Sequence, residues 1–110
     1  MPSILKLVIT IGLTIGSALA FSGDMTYYNP GLGACGQTNG DGDAVVALSA
    51  SQSGFCGKSI RIHYKDKSTT AKVVDKCPGC GYGSIDVSST VFDKLANRDL
   101  GRVLVTWEFI

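Results

Sequence analysis

The sequence has no surplus of positive charge. Lys6 is the only charged residue in MPSILKLVITIGLTIGSALA, so residues 21–110 carry nine Lys and Arg against nine Asp and Glu. With no basic excess to neutralise phosphates, nucleic acid is excluded as a partner. With no polybasic cluster, an anionic lipid surface is excluded as well. No second long apolar run follows the first twenty residues, no internal repeat or low-complexity tract is present, and no Asn-x-Ser/Thr acceptor occurs. There is one histidine, His63, between Arg61 and Lys65 on the polar side of an alternating segment. It reads as a solvated-face residue, and no Ser–His or Cys–His pair supports nucleophilic catalysis.

The opening segment has one positive charge, a short apolar core from Leu7 to Ile15 and a small-x-small triplet, Ala18-Leu19-Ala20. That order predicts a secretory signal peptide over residues 1–20, cleaved after Ala20. The core is too short for a comfortable membrane span, and Thr10, Gly12, Thr14 and Gly16 interrupt it. Residues 21–110 are then one small extracellular domain, expected to be a monomer free of the membrane.

A domain of that size buries a modest share of its surface and tends to need covalent staples. All four cysteines, Cys35, Cys56, Cys77 and Cys80, fall after the expected cleavage point. An even count in an exported chain reads as two disulfides, in any of three pairings. A redox role for Cys77-Pro78-Gly79-Cys80 would need a helix to lower the thiol pKa, whereas Gly81-Tyr82-Gly83 follows. Zinc would need two close pairs, and one is present. No metal and no cofactor is expected, and the CPGC pair reads as a small staple between Asp75 and Asp86.

Hydrophobicity alternates with period two, the mark of half-buried strands. Ser59–Lys65 alternates Ile60, Ile62 and Tyr64 with polar residues, and Gly101–Ile110 alternates Val103, Val105, Trp107 and Phe109. Thr69–Asp75 sets Ala71 and Val73 opposite Lys72 and Val74. Gly23–Asn29, Ala44–Leu48 and Ile85–Val87 complete the expected strands. One helix is expected after a serine cap at Ser88 or Ser89, with Val91, Phe92, Leu95 and Ala96 as its apolar stripe and Asn97 as its stop. Asn29–Asp43, rich in Gly and Asn, reads as a long loop, and Lys65-Asp66-Lys67 as a hairpin turn. Many short strands with one late helix predict a mainly β, closed small barrel.

Five segments occur in order: GDMTYYNPGLGACG, VALS, CGKSIRI, AKVVDKCPGCGYGSIDVSSTVFDKLA and GRVLVTWEF. Together they resemble the double-psi β-barrel proteins related to rare lipoprotein A, with the expansin N-terminal domain, barwin, plant natriuretic peptide-like proteins and glycoside hydrolase family 45. The resemblance covers Gly23 to Phe109, and its most specific part is VVDKCPGC…SIDVS…F. It implies a six-stranded double-psi β-barrel with a shallow groove for polysaccharide such as chitin, cellulose or peptidoglycan. Thr26, Tyr28, Asp75 and Asp86 would line that groove. By the same analogy Cys35 pairs with Cys56 and Cys77 with Cys80, a cross-connected pairing being the alternative.

Two departures qualify the resemblance. Cys77 stands where bacterial expansins carry a Tyr. Asn29 stands where the family 45 hydrolases carry their catalytic-base Asp, and an amide cannot deprotonate an attacking water. Asp24 and Asp43 are near in sequence but neither matches that position. Asp86, between Ile85 and Val87, points away from both and is the candidate acid. Asp75 reads first as an acceptor for the amides of the Cys77–Gly81 turn, and second as a groove carboxylate. Tyr28 shares a face with Thr26. Tyr27 shares one with Met25 and reads as core, as does Trp107. Tyr82, between two glycines, is an expected exposed residue for sugar or protein contact. The leading expectation is non-hydrolytic binding of cell-wall polysaccharide, without the second aromatic-bearing domain of expansins. The rival is inhibition of papain-like cysteine proteases or an effector or defence role through the loops Asn29–Asn39 and Cys80–Ser84. A weak lytic enzyme using Asp86 is a third.

Overall fold

The computed structural model describes residues 19–110. The expected signal peptide lies outside these residues except for Leu19 and Ala20. Six strands form the body of the molecule: β1 (Ala20–Tyr28), β4 (Val45–Ser49), β5 (Ser59–Tyr64), β6 (Lys67–Cys77), β7 (Ile85–Ser88) and β8 (Val103–Phe109). They close into a barrel in the order β1-β7-β4-β6-β5-β8. The β1/β7 and β4/β6 pairs are parallel and the other four are antiparallel. The helix α1 (Ser89–Leu95) and a 3-10 turn (Arg98–Leu100) link β7 to β8.

Alternation decides which side chains fill the barrel. Ile60 and Ile62 from β5, Ile85 and Val87 from β7, and Val103, Val105 and Trp107 from β8 are buried in one core. Val91, Phe92 and Leu95 of α1 join it, as their helical spacing predicts. The Trp107 indole N–H donates to the Gly83 carbonyl at 2.9 Å, so its polar group is satisfied inside the core. Gly83 has φ +87, and a Cβ there would lie 2.3 Å from the Ser22 carbonyl oxygen. Only glycine lets the 81–84 loop rest on β1 and reach Trp107.

Three expectations change. The segment 29–43 is not loop throughout, because β2 (Gly31–Leu32) and β3 (Thr38–Asn39) pair as a small antiparallel hairpin. Ser88 stands at the N-cap of α1 without bonding its amides; its side chain is turned toward β4, where the hydroxyl donates to the Asp43 carbonyl at 2.6 Å and accepts the Val45 amide at 3.5 Å. Tyr27 is 37% exposed instead of core. Beyond Met25, β1 has run past its β8 partner. The Tyr27 ring therefore packs edge-on to Phe92 at 4.9 Å, and its hydroxyl donates to the Arg98 carbonyl.

Candidate functional site

Strict alternation along Ala71, Val73 and Asp75 would drive Asp75 into the core. The register prevents it. In the β4/β6 pairing Val46 faces Val73, and the next residue, Ala47, faces Asp75. Val74 is therefore an extra residue, a β-bulge, and a bulge reverses the facing of the residues beyond it. Val73 stays in the core and Asp75 emerges on the outer face. The Cys35 amide donates to the Val74 carbonyl at 3.1 Å, so the hairpin loop sits directly on the bulge. A Cβ on Gly33 would lie 2.3 Å from that same oxygen, which is why a glycine stands there.

The two aspartates now share a row. Ala47 faces Asp75 on one side and Asp86 on the other, and Asp86 in turn faces Thr26. Thr26, Asp86, Ala47 and Asp75 thus cross four neighbouring strands. Two strand spacings separate the aspartates, about 10 Å between Cα atoms.

Hydrogen bonds fix each group. The Thr26 hydroxyl donates to Asp86 Oδ1 at 2.9 Å. The Tyr28 hydroxyl donates to Asp75 Oδ2 at 3.2 Å. Asp75 Oδ1 accepts the amides of Ala34 and Lys76, both at 2.8 Å. Asp75 therefore does hold turn amides, but those of the hairpin loop and of its own neighbour, not of the Cys77–Gly81 turn. Burial raises the Asp86 pKa above the usual carboxylate value. The Thr26 bond and the Arg102 charge oppose that rise, and the charge of Asp75 adds to it. Burial, together with the charge and hydrogen bond of Asp75 and the charge of Asp86, pushes the Tyr28 phenol far above its ordinary value. Tyr28 stays a hydrogen-bond donor at any physiological pH.

Thr26 also lines a groove of about 390 Å³, whose other walls include Asp24, Cys77, Gly79, Cys80, Ser84 and Arg102. The Cys77–Cys80 disulfide stiffens one wall, and Cys35–Cys56 fastens the hairpin loop to the barrel. Arg102 pairs with Asp24 at 3.1 Å. Sequence reading missed Arg102, because β1 and β8 pair across the whole chain and nothing local announces it; Ser84 ends the expected contact loop Cys80–Ser84 and meets β1 by accepting the Asp24 amide at 3.0 Å. Tyr28, Asp75, Asp86 and Tyr82 are not among its walls. Tyr82 is 66% exposed and rests edge-on to Phe21. Asp24 holds Arg102 within the groove wall, and Asp43, away from it, accepts the Gly40 amide at 2.9 Å and Asn39. His63 pairs with Glu108 at 2.8 Å.

No protein-family model matches the sequence. The papain inhibitor of Streptomyces mobaraensis is 36% identical over 101 residues, covering 81% of this chain and 71% of that protein. An EG45-like domain containing protein of Citrus jambhiri is 30% identical over 112 residues, covering 86% of each. The chain belongs to the RlpA-like, expansin-like double-psi β-barrel family. An Asp f 7 allergen homolog of Arthroderma benhamiae is 43% identical over 83 residues. That match takes in 67% of this chain and 28% of the allergen, so the chain spans about a third or less of that relative. In structure the barrel is similar to the Streptomyces papain inhibitor, with a TM-score of 0.76, 35% identity and coverage of 84% of this chain and 94% of that one. It shares its fold with a Clavibacter michiganensis expansin solved in complex with cellohexaose, at a TM-score of 0.75, 21% identity and coverage of 84% and 50%. Among the described residues, no helix is long and apolar enough to cross a membrane.

Proposed function

We propose that this expansin-like barrel acts outside the cell, exported by residues 1–20, and binds cell-wall polysaccharide without hydrolysing it. The row Thr26–Asp86–Ala47–Asp75, with Tyr28 bonded to Asp75 and the groove beside Thr26, is the observation that carries this reading. Hydroxyls and carboxylates spaced along one face match the hydroxyl-rich edge of a glycan chain. The cellohexaose complex of the Clavibacter expansin, a protein of the same fold, adds support.

Asp86 keeps its proton to higher pH than an ordinary carboxylate, as a general acid would. The base is what is missing. Asn29 cannot accept a proton, and the Asp75 oxygens already hold two amides and a phenol. Binding without turnover is the outcome.

Pull-down on chitin, cellulose and peptidoglycan tests this reading. Wild type should be retained on at least one of them, and Asp86→Ala should lose that retention. Release of reducing ends would refute the absence of hydrolysis, and release of anhydro-sugar ends would favour a lytic enzyme using Asp86. A second reading, inhibition of a papain-like cysteine protease, is supported by the 36% identity to the Streptomyces papain inhibitor. It is tested by papain inhibition in parallel.

A further inference from the structure

We infer that strand β2 of the β2–β3 hairpin, with Leu32 as its anchor, is the segment that enters the active-site cleft of a papain-like cysteine protease. This rests on the inhibitor reading above. It adds the surface that would make the contact.

β2 and its flanks, Pro30-Gly31-Leu32-Gly33-Ala34, carry one large side chain. Leu32 is 76% exposed, and a Cβ built on Gly31 would meet nothing within 4 Å. An apolar side chain this exposed and flanked by glycines is free to enter a partner's pocket. Burying such an anchor in a partner's pocket is the usual source of most of the binding energy.

The loop that follows Leu32 holds it rigidly to the barrel. The Gly33 amide donates to the Gln37 carbonyl at 2.9 Å, and the Gly36 amide to the Gly33 carbonyl at 2.9 Å. The Ala34 and Cys35 amides are tied to Asp75 and Val74, and Cys35 is bonded to Cys56. A segment already fixed in its bound shape loses little entropy on docking.

Backbone pairing points to the same place. The barrel is closed, so its strands have partners on both sides. The small β2–β3 sheet has two strands only, and its outer edges are free among the described residues. A free edge can pair with an extended partner segment, and protease clefts bind extended chains. The other exposed apolar residues lack this setting. Leu104 is 75% exposed but belongs to β8, which pairs with β1 and β5. Tyr82 leans on Phe21.

The test is inhibition of papain by the disulfide-intact chain, comparing wild type with Leu32→Asp, Leu32→Asn, Tyr82→Ala and Leu104→Asp. All four changes are at exposed positions, and thermal melting checks that each variant folds. Both Leu32 variants should weaken inhibition by about thirtyfold or more, while Leu104→Asp stays within about threefold of wild type. Full inhibition by Leu32→Asp, or loss of inhibition in Tyr82→Ala alone, overturns the inference and leaves the inhibitor reading standing. A wild type that inhibits neither papain nor a second enzyme of that class overturns both.

Discussion

Asp75 ties together Tyr28, the bulge and the hairpin loop, so its replacement is the most informative perturbation. It accepts three hydrogen bonds, from Ala34, Lys76 and Tyr28. A bond to a charged acceptor contributes about 1.5–3 kcal/mol when sheltered from water. Asp75 is half-buried, and water can partly replace the exposed Ala34 and Lys76 bonds. The part-buried Tyr28 bond contributes most, and Asp75→Ala should cost about 2 kcal/mol in all. In a domain of this length that lowers Tm by roughly 8–16 °C. Asp75→Asn keeps an oxygen for the two amides, and its new amide can donate to Tyr28, so its cost should be about 0.5–1 kcal/mol. Melting at pH 7 with both disulfides intact gives the ranking, and amide hydrogen exchange gives the location. Ala34 and Cys35 should lose protection in Asp75→Ala while Ile60 and Ile62 in the core keep theirs. A Tm close to that of wild type together with unchanged exchange at Ala34 would refute the reasoning.

Asp86 has a raised folded pKa, so the native state holds its proton more tightly than the unfolded chain does. Its contribution to stability therefore falls as pH rises from the ordinary carboxylate range through the folded value. Asp86→Asn should melt higher than wild type at pH 7, with the gap closing below about pH 4, as melting against pH would show. Gly33→Ala should be strongly destabilising, by about 2 kcal/mol or more, because its Cβ meets the Val74 carbonyl oxygen. Denaturant unfolding measures that cost. Serine replacement of Cys35 and Cys56, which close a separation of 21 residues, should cost about 3 kcal/mol. The same change at Cys77 and Cys80, only 3 apart, should cost about 2 kcal/mol.

The barrel was legible because its strands alternate, and β5 and β8 fill the core as their spacing requires. Asp86 was legible for the same reason, since Ile85 and Val87 on either side are buried. Asp75 was not legible by that rule. Its outward direction depends on the bulge at Val74, and the adjacent valines of VVD were the one local hint. Tyr27 followed the alternation but not the burial, because β1 has by then run past β8. Ser88 had the right residue type for a cap, yet its side chain is turned to the Asp43 carbonyl and the Val45 amide instead of the helix amides. Arg102 and Ser84 come to the groove through long-range contacts with Asp24, at separations no local pattern encodes.

The central claim is that one outer row of the barrel meets a glycan chain and leaves it intact. Titrating isotope-labelled protein with cellohexaose and chitin hexamer, and following amide shifts by NMR, tests it most directly. The account predicts saturable shifts at Thr26, Tyr28, Asp86 and the adjoining Gly81 and Ser84, with both sugars recovered at full length. Shifts confined to the His63 and Leu104 side, no response to any wall glycan, or shortened oligosaccharides would contradict it.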